Sequence, residues 1–396
     1  MQGSRIAYLS TYPPRLCGIA TFTRDLRAAV GEGDVIALHR MDDPPDFAPE
    51  VRWRIRQDRC SDYPAAARVA SDSDVGLVSI QHEYGIYGGP DGSYALDFIE
   101  ELRLPAVVTL HTILTHPSRG QRIVLAGLVD RAEATVVMSF AAGRLLHGRY
   151  GTPWSRIRVI RHGVPEIPLV DPDAVKPALG LEGRRVILSF GLLGPGKGYG
   201  TMVEAMGRIV AAEPTALFVV AGATHPDLVR REGEAYRWRL TADVAARGLG
   251  GSVRFVDRFL EPSELARWIQ AADVYVTPYP DLDQIVSGTL SVAVAAGKAI
   301  VSTPYSYARE LLAEDRGVLV EPGSPTALAD AIVPLLRDSG RRDALGRRSA
   351  AFGRRMRWPQ VGAAYRGLFD EILGNAVPDT APEPRTVATA VAAVHA

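Results

Sequence analysis

The chain has few cysteines and no long apolar run. Its only cysteines, Cys17 and Cys60, cannot form a disulfide framework, and no CxxC pair points to a zinc site. No apolar stretch approaches the roughly 18 residues that a membrane span needs, and the short run Arg5–Leu9 lacks the pattern of a secretory signal. The formal net charge is zero, so total charge does not favour a nucleic-acid partner. These absences predict a cytoplasmic protein.

Lysine is also scarce. It occurs only at Lys176, Lys197 and Lys298, although Lys and Arg together number 45. A lysine in a glycine-rich loop, as at Lys197, is therefore a candidate for a specific role. Eight arginines within residues 337–357 leave two interpretations open: peripheral contact with an anionic membrane surface, or a solvated helical face.

The length of 396 residues predicts two domains, since a single core rarely grows beyond roughly 250–300 residues. Short apolar runs alternate with helical stretches, which predicts an α/β architecture with mostly parallel sheets. Helix-like stretches include Thr21–Val30, Tyr94–Leu102 and Gln121–Arg131. The strand-like runs are Arg5–Ser10, Val35–His39, Val75–Gln81, Ala106–His111, Ala134–Ser139, Arg158–Arg161, Arg185–Gly191, Ala216–Ala221, Ser252–Phe255, Val274–Thr277, Ala299–Ser302 and Gly317–Val320.

The same alternation occurs twice along the chain. We expect an N-terminal Rossmann-like domain over residues 1–165, a proline-rich linker over 166–183 and a second Rossmann-like domain over 184–351. A final helix over 352–374 and a disordered tail over 375–396 complete the prediction. Ligands bind beyond the carboxyl ends of the strands in open parallel sheets, so two facing sheets would enclose a deep cleft.

Three loops after strands of the first half carry candidate residues. Gly18 lets the backbone approach a ligand closely at the start of a helix, although this loop lacks the GxGxxG of a nicotinamide or flavin site. Glu83, Tyr84 and Tyr87 offer a carboxylate and aromatic faces that suit sugar recognition. His111 ends an apolar strand and faces the predicted cleft. The alternatives stay open: an ordinary turn, a glycine-rich surface loop and a structural histidine.

Two loops of the second half suit an anion. One ends a buried strand at Gly191, turns through Gly-Pro-Gly and presents Lys197, whose ammonium can neutralise phosphate charge. The other places Ser287, Gly288 and Thr289 at the start of a helix, where hydroxyls, N–H groups and the helix dipole favour an anion. A capped turn with a solvated lysine and a plain N-cap are the competing interpretations. The joint placement of all five loops favours a ligand-binding cleft.

Together these segments resemble GT-B-fold glycosyltransferases of the large retaining family 4, over about residues 5–373. The resemblance implies two Rossmann-like domains facing across a deep cleft, with the final helix, which carries Trp358, crossing back to the first domain. It is carried by the loop with Gly18, TLH ending at His111, HGV at 162–164, KG at 197–198, ADVYVTPY at 272–279 and AVAAGKAIVST at 293–303.

The resemblance also implies roles for matching residues. Gly18 and Gly191 would lie against the donor, His111 would contact the transferred sugar, and Lys197 would bind the diphosphate. Residues 287–289 would give backbone donors to the distal phosphate. No metal or cofactor is implied, because the lysine and helix N-termini would balance the phosphate charge.

The sequence departs from the family pattern at three positions. The family's Glu-x7-Glu pair falls at Gln284 and Val292, and its arginine before the lysine falls at Leu192. Gln284 can still hydrogen-bond a sugar hydroxyl, whereas Val292 cannot bind a ribose hydroxyl through its side chain. Arg258 is a candidate to replace the missing arginine's charge. These departures indicate a divergent branch.

The expected reaction transfers a hexosyl group from a nucleoside diphosphate sugar, of GDP-mannose or UDP-glucose type, to a saccharide or other hydroxyl acceptor. His111, Lys197 and Gln284 are the expected catalytic residues, and retention of anomeric configuration is implied by the family. Glu83 would position the acceptor or act as a base. A sugar phosphorylase, a nucleotide-sugar epimerase and a degenerate nucleotide-sugar-binding module remain the alternatives.

Overall fold

The computed structural model describes residues 5–31, 33–41 and 46–374, and it confirms two α/β halves, each built on a parallel sheet. The first sheet has the order β3-β2-β1-β4-β5-β6-β7. Its inner strands are mostly apolar and buried on both faces, as a sheet covered by helices requires. The elements of the first half are β1 (Arg5–Thr11), α1 (Gly18–Val30), β2 (Asp34–His39), β3 (Val51–Arg56), α2 (Asp62–Ser71), β4 (Val75–His82), α3 (Tyr94–Glu101), β5 (Ala106–Leu110), α4 (Arg119–Arg131), β6 (Ala134–Val137), α5 (Phe140–Tyr150) and β7 (Ile157–Val159).

The second sheet has the order β10-β9-β8-β11-β12-β13. In each sheet the strand order reverses at the centre, between β1 and β4 and between β8 and β11, and open α/β sheets bind ligands beside such switch points. The elements of the second half are α6 (Pro172–Val175), β8 (Arg185–Phe190), α7 (Tyr199–Ala212), β9 (Ala216–Ala221), α8 (Pro226–Glu232), α9 (Ala235–Ala246), β10 (Val253–Val256), α10 (Pro262–Ala271), β11 (Val274–Thr277), α11 (Gly288–Ala295), β12 (Ala299–Ser302), α12 (Ser306–Leu311), β13 (Val318–Leu319), α13 (Pro325–Arg337), α14 (Ser339–Gly353) and α15 (Trp358–Ile372).

The first helix begins earlier than its sequence predicts. The prediction placed the start at Thr21, whereas α1 begins at Gly18. Cys17 is its cap, because the Cys17 sulfur accepts the N–H of Ala20 at 3.3 Å. Cysteine is not among the residues that usually cap helices, so no cap signal marks this position in the sequence.

Two further segments differ from the prediction. The edge strand β3 was not predicted, because arginines alternate with its apolar residues and two of its six side chains are exposed. The region predicted as one final helix over 352–374 holds the end of α14, a short 3₁₀ turn at Arg354–Met356, and α15. Pro359 stands in the first turn of α15, where a proline is tolerated, whereas it could not continue a preceding helix. The predicted disordered tail over 375–396 lies outside the described residues.

The last helix returns to the first half and packs against α1. A glycine allows the close approach: a Cβ at Gly362 would lie 2.4 Å from the carbonyl oxygen of Ala29. The hydroxyl of Tyr365 lies 3.0 Å from Thr109 Oγ1 on β5. The apolar face of α15 joins a core cluster of the first half through Val361, Tyr365, Leu368 and Phe369.

The halves also touch beside the cleft. The Glu310 carboxylate of α12 accepts the N–H groups of Phe140 and Ala141, at 3.2 and 3.0 Å, at the start of α5. Arg161 pairs with the same carboxylate at 3.1 Å. Ile285 of the second half is buried in the core of the first. Within the described ranges, no helix is both long and apolar enough to cross a membrane.

Candidate active site

A cavity of about 770 Å³ opens between the two halves, at the carboxyl ends of both sheets. Loops after β1, β4 and β5 form one wall, and loops after β8, β9 and β11 form the other. Ser287 lies directly behind this wall as the buried cap of α11. The predicted site residues that line the cavity are Gly18, Glu83, His111, Gly191, Lys197, Gln284, Gly288 and Thr289.

Lys197 is held in place by a tyrosine that sequence reasoning did not single out. Its Nζ donates to the Tyr279 hydroxyl at 3.2 Å and lies 4.3 Å from the centre of that ring. The same hydroxyl lies 3.1 Å from Thr289 Oγ1. Burial raises the pKa of Tyr279, but the Lys197 ammonium and the hydrogen bonds outweigh it, so the pKa falls below its ordinary value. These contacts fix the ammonium beside the start of α11.

The glycine after this lysine is sterically required. Gly198 adopts a φ of +67°, and a Cβ there would lie 1.9 Å from the carbonyl oxygen of Pro278. The backbone of the lysine loop therefore packs directly on the loop after β11. The two predicted anion-binding loops form one continuous surface.

The start of α11 presents backbone donors to the cavity. Ser287 Oγ accepts the N–H of Leu290 at 3.3 Å and so caps the helix. The first N–H groups of a helix have no carbonyl partner within it, so those of Gly288 and Thr289 are available to a ligand. With Lys197 beside them, they make a site of positive potential where a phosphate fits.

His111 faces the cavity from the end of β5 and is neutral. Its Nε2 lies 3.0 Å from Gln81 Oε1, and the amide nitrogen of Gln81 donates to Ser79 Oγ at 3.2 Å. This chain assigns the proton to Nε2, because the Gln81 oxygen can only accept. Burial, followed by the nearby His162 and His82 side chains, lowers the pKa of His111 to about 3. Gln81 was not predicted, since nothing in the sequence links it to His111.

His162 is a further cavity residue to which the sequence assigned no role. Its Nδ1 lies 2.7 Å from the Gly163 carbonyl oxygen, and its Nε2 would lie 2.9 Å from a Cβ placed at Gly288. Burial lowers the pKa of His162 to about 4, against the opposing effect of the Gly163 carbonyl. The ring of Phe22 packs edge-on to both His162 and His111. The HGV motif was the available signal for this residue.

Four carboxylates line the cavity, of which only Glu83 was predicted as a site residue. Glu83 Oε2 accepts the Thr112 hydroxyl at 2.5 Å. Burial raises the pKa of Glu83, and the Thr112 hydrogen bond opposes that effect. Asp25 joins from α1, seven residues after Gly18 and so on the same face of the helix. Asp281 and Asp283 join from the acidic turn after β11.

Tyr84 and Tyr87, predicted to bind the acceptor, do not line the cavity, so the structure lends that role no support. The Tyr87 hydroxyl is buried and donates to the carbonyl of Gln81 at 2.7 Å, and the Tyr84 hydroxyl donates to the carbonyl of Gln121 at 3.3 Å. Their rings enclose the buried His82. Their flat faces serve packing in the core.

The structure likewise gives no support to the suggested donor-binding role of Arg258. Its side chain is 56% exposed, lies outside the cavity wall and forms an ion pair with Glu264 on α10. Leu192 does line the cavity, as the alignment with the family arginine implies, but it brings no charge. Gln284 lines the cavity, and its amide nitrogen donates to the Val286 carbonyl at 2.8 Å, which leaves the amide oxygen to face a ligand.

Two facing parallel-sheet domains, with a lysine and a helix N-terminus on one wall and a neutral histidine on the other, define a glycosyltransferase of the GT-B type. The sequence matches the model described as "Glycosyl transferases group 1" over residues 184–338 and that described as "Glycosyltransferase Family 4" over residues 18–166. The chain therefore belongs to these glycosyltransferases and is an enzyme of the hexosyltransferase type.

Two of the relatives that match over most of the chain are D-inositol 3-phosphate glycosyltransferases. The chain is 25% identical over 292 residues to D-inositol 3-phosphate glycosyltransferase of Corynebacterium glutamicum, covering 69% of this chain and 68% of that one. It is 27% identical over 331 residues to the Xylanimonas cellulosilytica protein of the same name, covering 78% and 76%. The fold matches sucrose-phosphate synthase of Thermosynechococcus elongatus, with a TM-score of 0.76, 19% identity, and coverage of 94% of this chain and 100% of that one. It also matches Anabaena HepE, solved with UDP and glucose, with a TM-score of 0.76, 16% identity, and coverage of 93% and 100%.

Proposed function

We propose that this enzyme transfers a hexosyl group from a nucleoside diphosphate hexose to a hydroxyl of an acceptor, with retention of anomeric configuration. The single observation that carries the proposal is the phosphate site at Lys197 and the start of α11, which faces His111 across the same cavity. Mannosyltransferases from Rhizobium leguminosarum and Mycolicibacterium smegmatis are among the relatives. Their names support a mannosyl donor, and a further relative from Corynebacterium glutamicum is named as GDP-mannose-dependent. The HepE complex keeps a UDP-glucose type donor open.

The phosphate site would act mainly on the leaving group. The reaction breaks the bond between the sugar C1 and a diphosphate oxygen, and the diphosphate keeps the electron pair. The Lys197 ammonium and the N–H groups of Gly288 and Thr289 would stabilise the charge that develops there. These groups would supply the positive charge that a metal ion could otherwise bring to the diphosphate, so we propose a metal-independent enzyme.

The opposite wall would hold the sugar and the acceptor. His111, neutral and protonated on Nε2, turns its Nδ1 lone pair away from Gln81 and can accept a hydrogen bond from a sugar hydroxyl. Gln284 can accept another through its amide oxygen. Glu83 would position the acceptor hydroxyl, whose oxygen bonds to C1 and whose proton is released. NMR of the product would test retention directly, because a product of opposite anomeric configuration to the donor excludes it.

A thermal-shift panel of GDP, UDP, ADP and dTDP with their hexose conjugates tests the donor site. A ligand that binds only the folded protein stabilises it by about 2.7 kcal/mol at one hundred times its Kd. We expect one nucleotide, with its hexose conjugate, to raise the unfolding temperature more than the others. A degenerate module would show the same shift without turnover, whereas no shift with any nucleotide would contradict the proposal.

A further inference from the structure

The charges on the cavity wall divide into two regions. Lys197 lies at the phosphate site, and among the described residues no arginine and no other lysine lines the cavity. Four carboxylates line it as well, two from each half. Four histidines line the cavity. The buried His111 and His162 add no charge at neutral pH, because burial holds the pKa of each well below 6.5, and burial also lowers the pKa of His225. The fourth, His116, is exposed. Once the diphosphate has occupied the phosphate site, the rest of the wall is net negative.

The four carboxylates differ in how far they are compensated. Asp25 is paired with Arg24, whose guanidinium donates at 2.8 and 2.9 Å from outside the cavity wall. Glu83 has a neutral partner, the Thr112 hydroxyl. Asp281 and Asp283 are exposed, and the Asp283 N–H donates to Asp281 Oδ1 at 2.9 Å. In the part of the chain that the structure describes, Glu83, Asp281 and Asp283 therefore have no cationic partner of their own, and their oxygens can accept hydrogen bonds from a ligand in the cavity.

Cations do occur nearby, in an adjoining pocket on the second half that shares Lys197 and Asp281 with the main cavity. Arg230 and Arg231 lie on α8, in a pocket behind the Lys197 loop. Asp227 on the same helix pairs with Arg230 and, across the cleft, with Arg40 at 3.4 Å. This pocket therefore carries its own carboxylate, and neither arginine extends to the main cavity wall.

We infer that the acceptor is a saccharide or polyol without an anionic group, either uncharged or bearing an amine. The inference rests on the proposed function, because it assigns the phosphate site to the donor. Hydroxyl and ammonium groups donate hydrogen bonds to carboxylates, whereas a second phosphate would meet like charges on a wall where, among the described residues, no arginine offsets them. The chain would thus differ from the relatives whose names specify inositol 3-phosphate or phosphatidyl-myo-inositol.

The test uses matched acceptors with the full-length enzyme and the donor found by thermal shift. Each set contains a parent compound, its monophosphate and its amine: glucose with glucose 6-phosphate and glucosamine, and myo-inositol with its 1-phosphate and aminodeoxy form. Product is measured by mass spectrometry. We expect turnover with parent or amine members at a kcat/KM about 100-fold above the phosphorylated member, because a like charge at this wall costs several kcal/mol. A preferred phosphorylated member, or no product from any uncharged or amine-bearing compound, would overturn the inference.

A charge reversal on the wall sharpens this test. Asp283→Lys is expected to reduce the preference against the phosphorylated acceptor by about tenfold, as one unfavourable contact becomes favourable. Glu204→Lys is the matched control, because Glu204 is exposed on α7 outside the cavity. An unchanged preference in Asp283→Lys would contradict the inference. Hydrolysis of the donor without acceptor is followed in parallel, and its loss would instead count against the proposed function.

Discussion

Single residues set the charge of the site. Lys197 is the one lysine of the cavity wall among the described residues, and its ammonium is anchored on the hydroxyl and ring of Tyr279. An anchored ammonium loses little freedom when a diphosphate binds, so its contribution to affinity is large. Arg258, which the sequence offered as a second cation, is turned away to Glu264.

Lys197→Met is expected to weaken nucleoside diphosphate binding by about 10- to 100-fold, since a hydrogen bond to a charged group contributes about 1.5–3 kcal/mol. Arg258→Met should leave the affinity unchanged, because that side chain lies off the cavity wall. Isothermal calorimetry on both variants measures the difference. Equal losses in the two variants would show that the phosphate site is assigned to the wrong loop.

A buried histidine predicts a pH dependence of stability. Burial lowers the pKa of His82 to about 3, and neither ring nitrogen has a hydrogen-bond partner. In the unfolded chain its pKa is about 6.5, so between pH 6.5 and 3 the unfolded state binds more protons and the free energy of unfolding falls as the pH falls. The slope is about 1.4 kcal/mol per pH unit for each such histidine.

His82→Phe removes this proton linkage while keeping a ring between Tyr84 and Tyr87. Between pH 7 and pH 5 we expect the variant to lose about 2 kcal/mol less of its unfolding free energy than the parent protein. Urea unfolding at the two pH values measures this, with His116→Gln as an exposed control. Parallel pH slopes for His82→Phe and the parent would refute the assignment.

Position after a strand was enough to predict which residues reach the cavity, except where the direction of a side chain mattered. Gly18, His111 and Lys197 line the cavity because loops after parallel strands share one edge of a sheet. Tyr84 and Tyr87 stand in such a loop too, but their rings turn inward around His82. Sequence spacing carries no information about that choice, which depends on the space that the core leaves.

At the level of elements, the alternation of apolar runs predicted twelve strands close to their observed positions, but it did not predict the edge strand β3. Its arginines alternate along the strand and so lie on one face, which makes the pattern too polar to read as a buried strand. The end of α14 and the start of α15 were merged, because both are amphipathic and their separation depends on a short turn. The docking of α15 on α1 followed only from the family resemblance.

Two glycines of α15 test that docking. Gly362→Ala should destabilise the protein by about 1–3 kcal/mol, because the added Cβ meets the Ala29 carbonyl oxygen at 2.4 Å. Gly367→Ala, in the same helix, has open space and should stabilise it by about 0.5–1 kcal/mol. Denaturant unfolding of both variants gives the two values. If Gly362→Ala is as stable as Gly367→Ala, α15 does not pack on α1 as described.

For the whole molecule, the relation between the two halves decides whether the site is complete. Lys197 and the start of α11 belong to the second half, whereas His111 belongs to the first. Neither half alone therefore carries all the candidate site residues. Glu310 ties them beside the cleft, through two N–H groups of α5 and Arg161. The sequence predicted the cleft but not this tie, since its partners are about 150 residues apart in the chain.

Glu310→Gln is expected to loosen the pairing of the halves, because it removes the charge that Arg161 and the helix N-terminus stabilise, a loss of about 1–3 kcal/mol. Small-angle scattering of the free protein should show a larger radius of gyration. Glu133→Gln, an exposed carboxylate of the first half, serves as the control. Identical scattering from both variants would mean that Glu310 does not hold the halves together.

The central claim is that the cleft cleaves a nucleoside diphosphate hexose at its phosphate site and passes the sugar to an acceptor. The most direct measurement follows nucleoside diphosphate release and glycoside formation together, over a panel of nucleotide hexoses with a mixture of saccharide acceptors. We predict equimolar diphosphate and glycoside from one nucleotide family, and at least a tenfold loss of both in Lys197→Met. Release of a sugar phosphate in place of glycoside, or equal rates in the parent and Lys197→Met, would contradict the account.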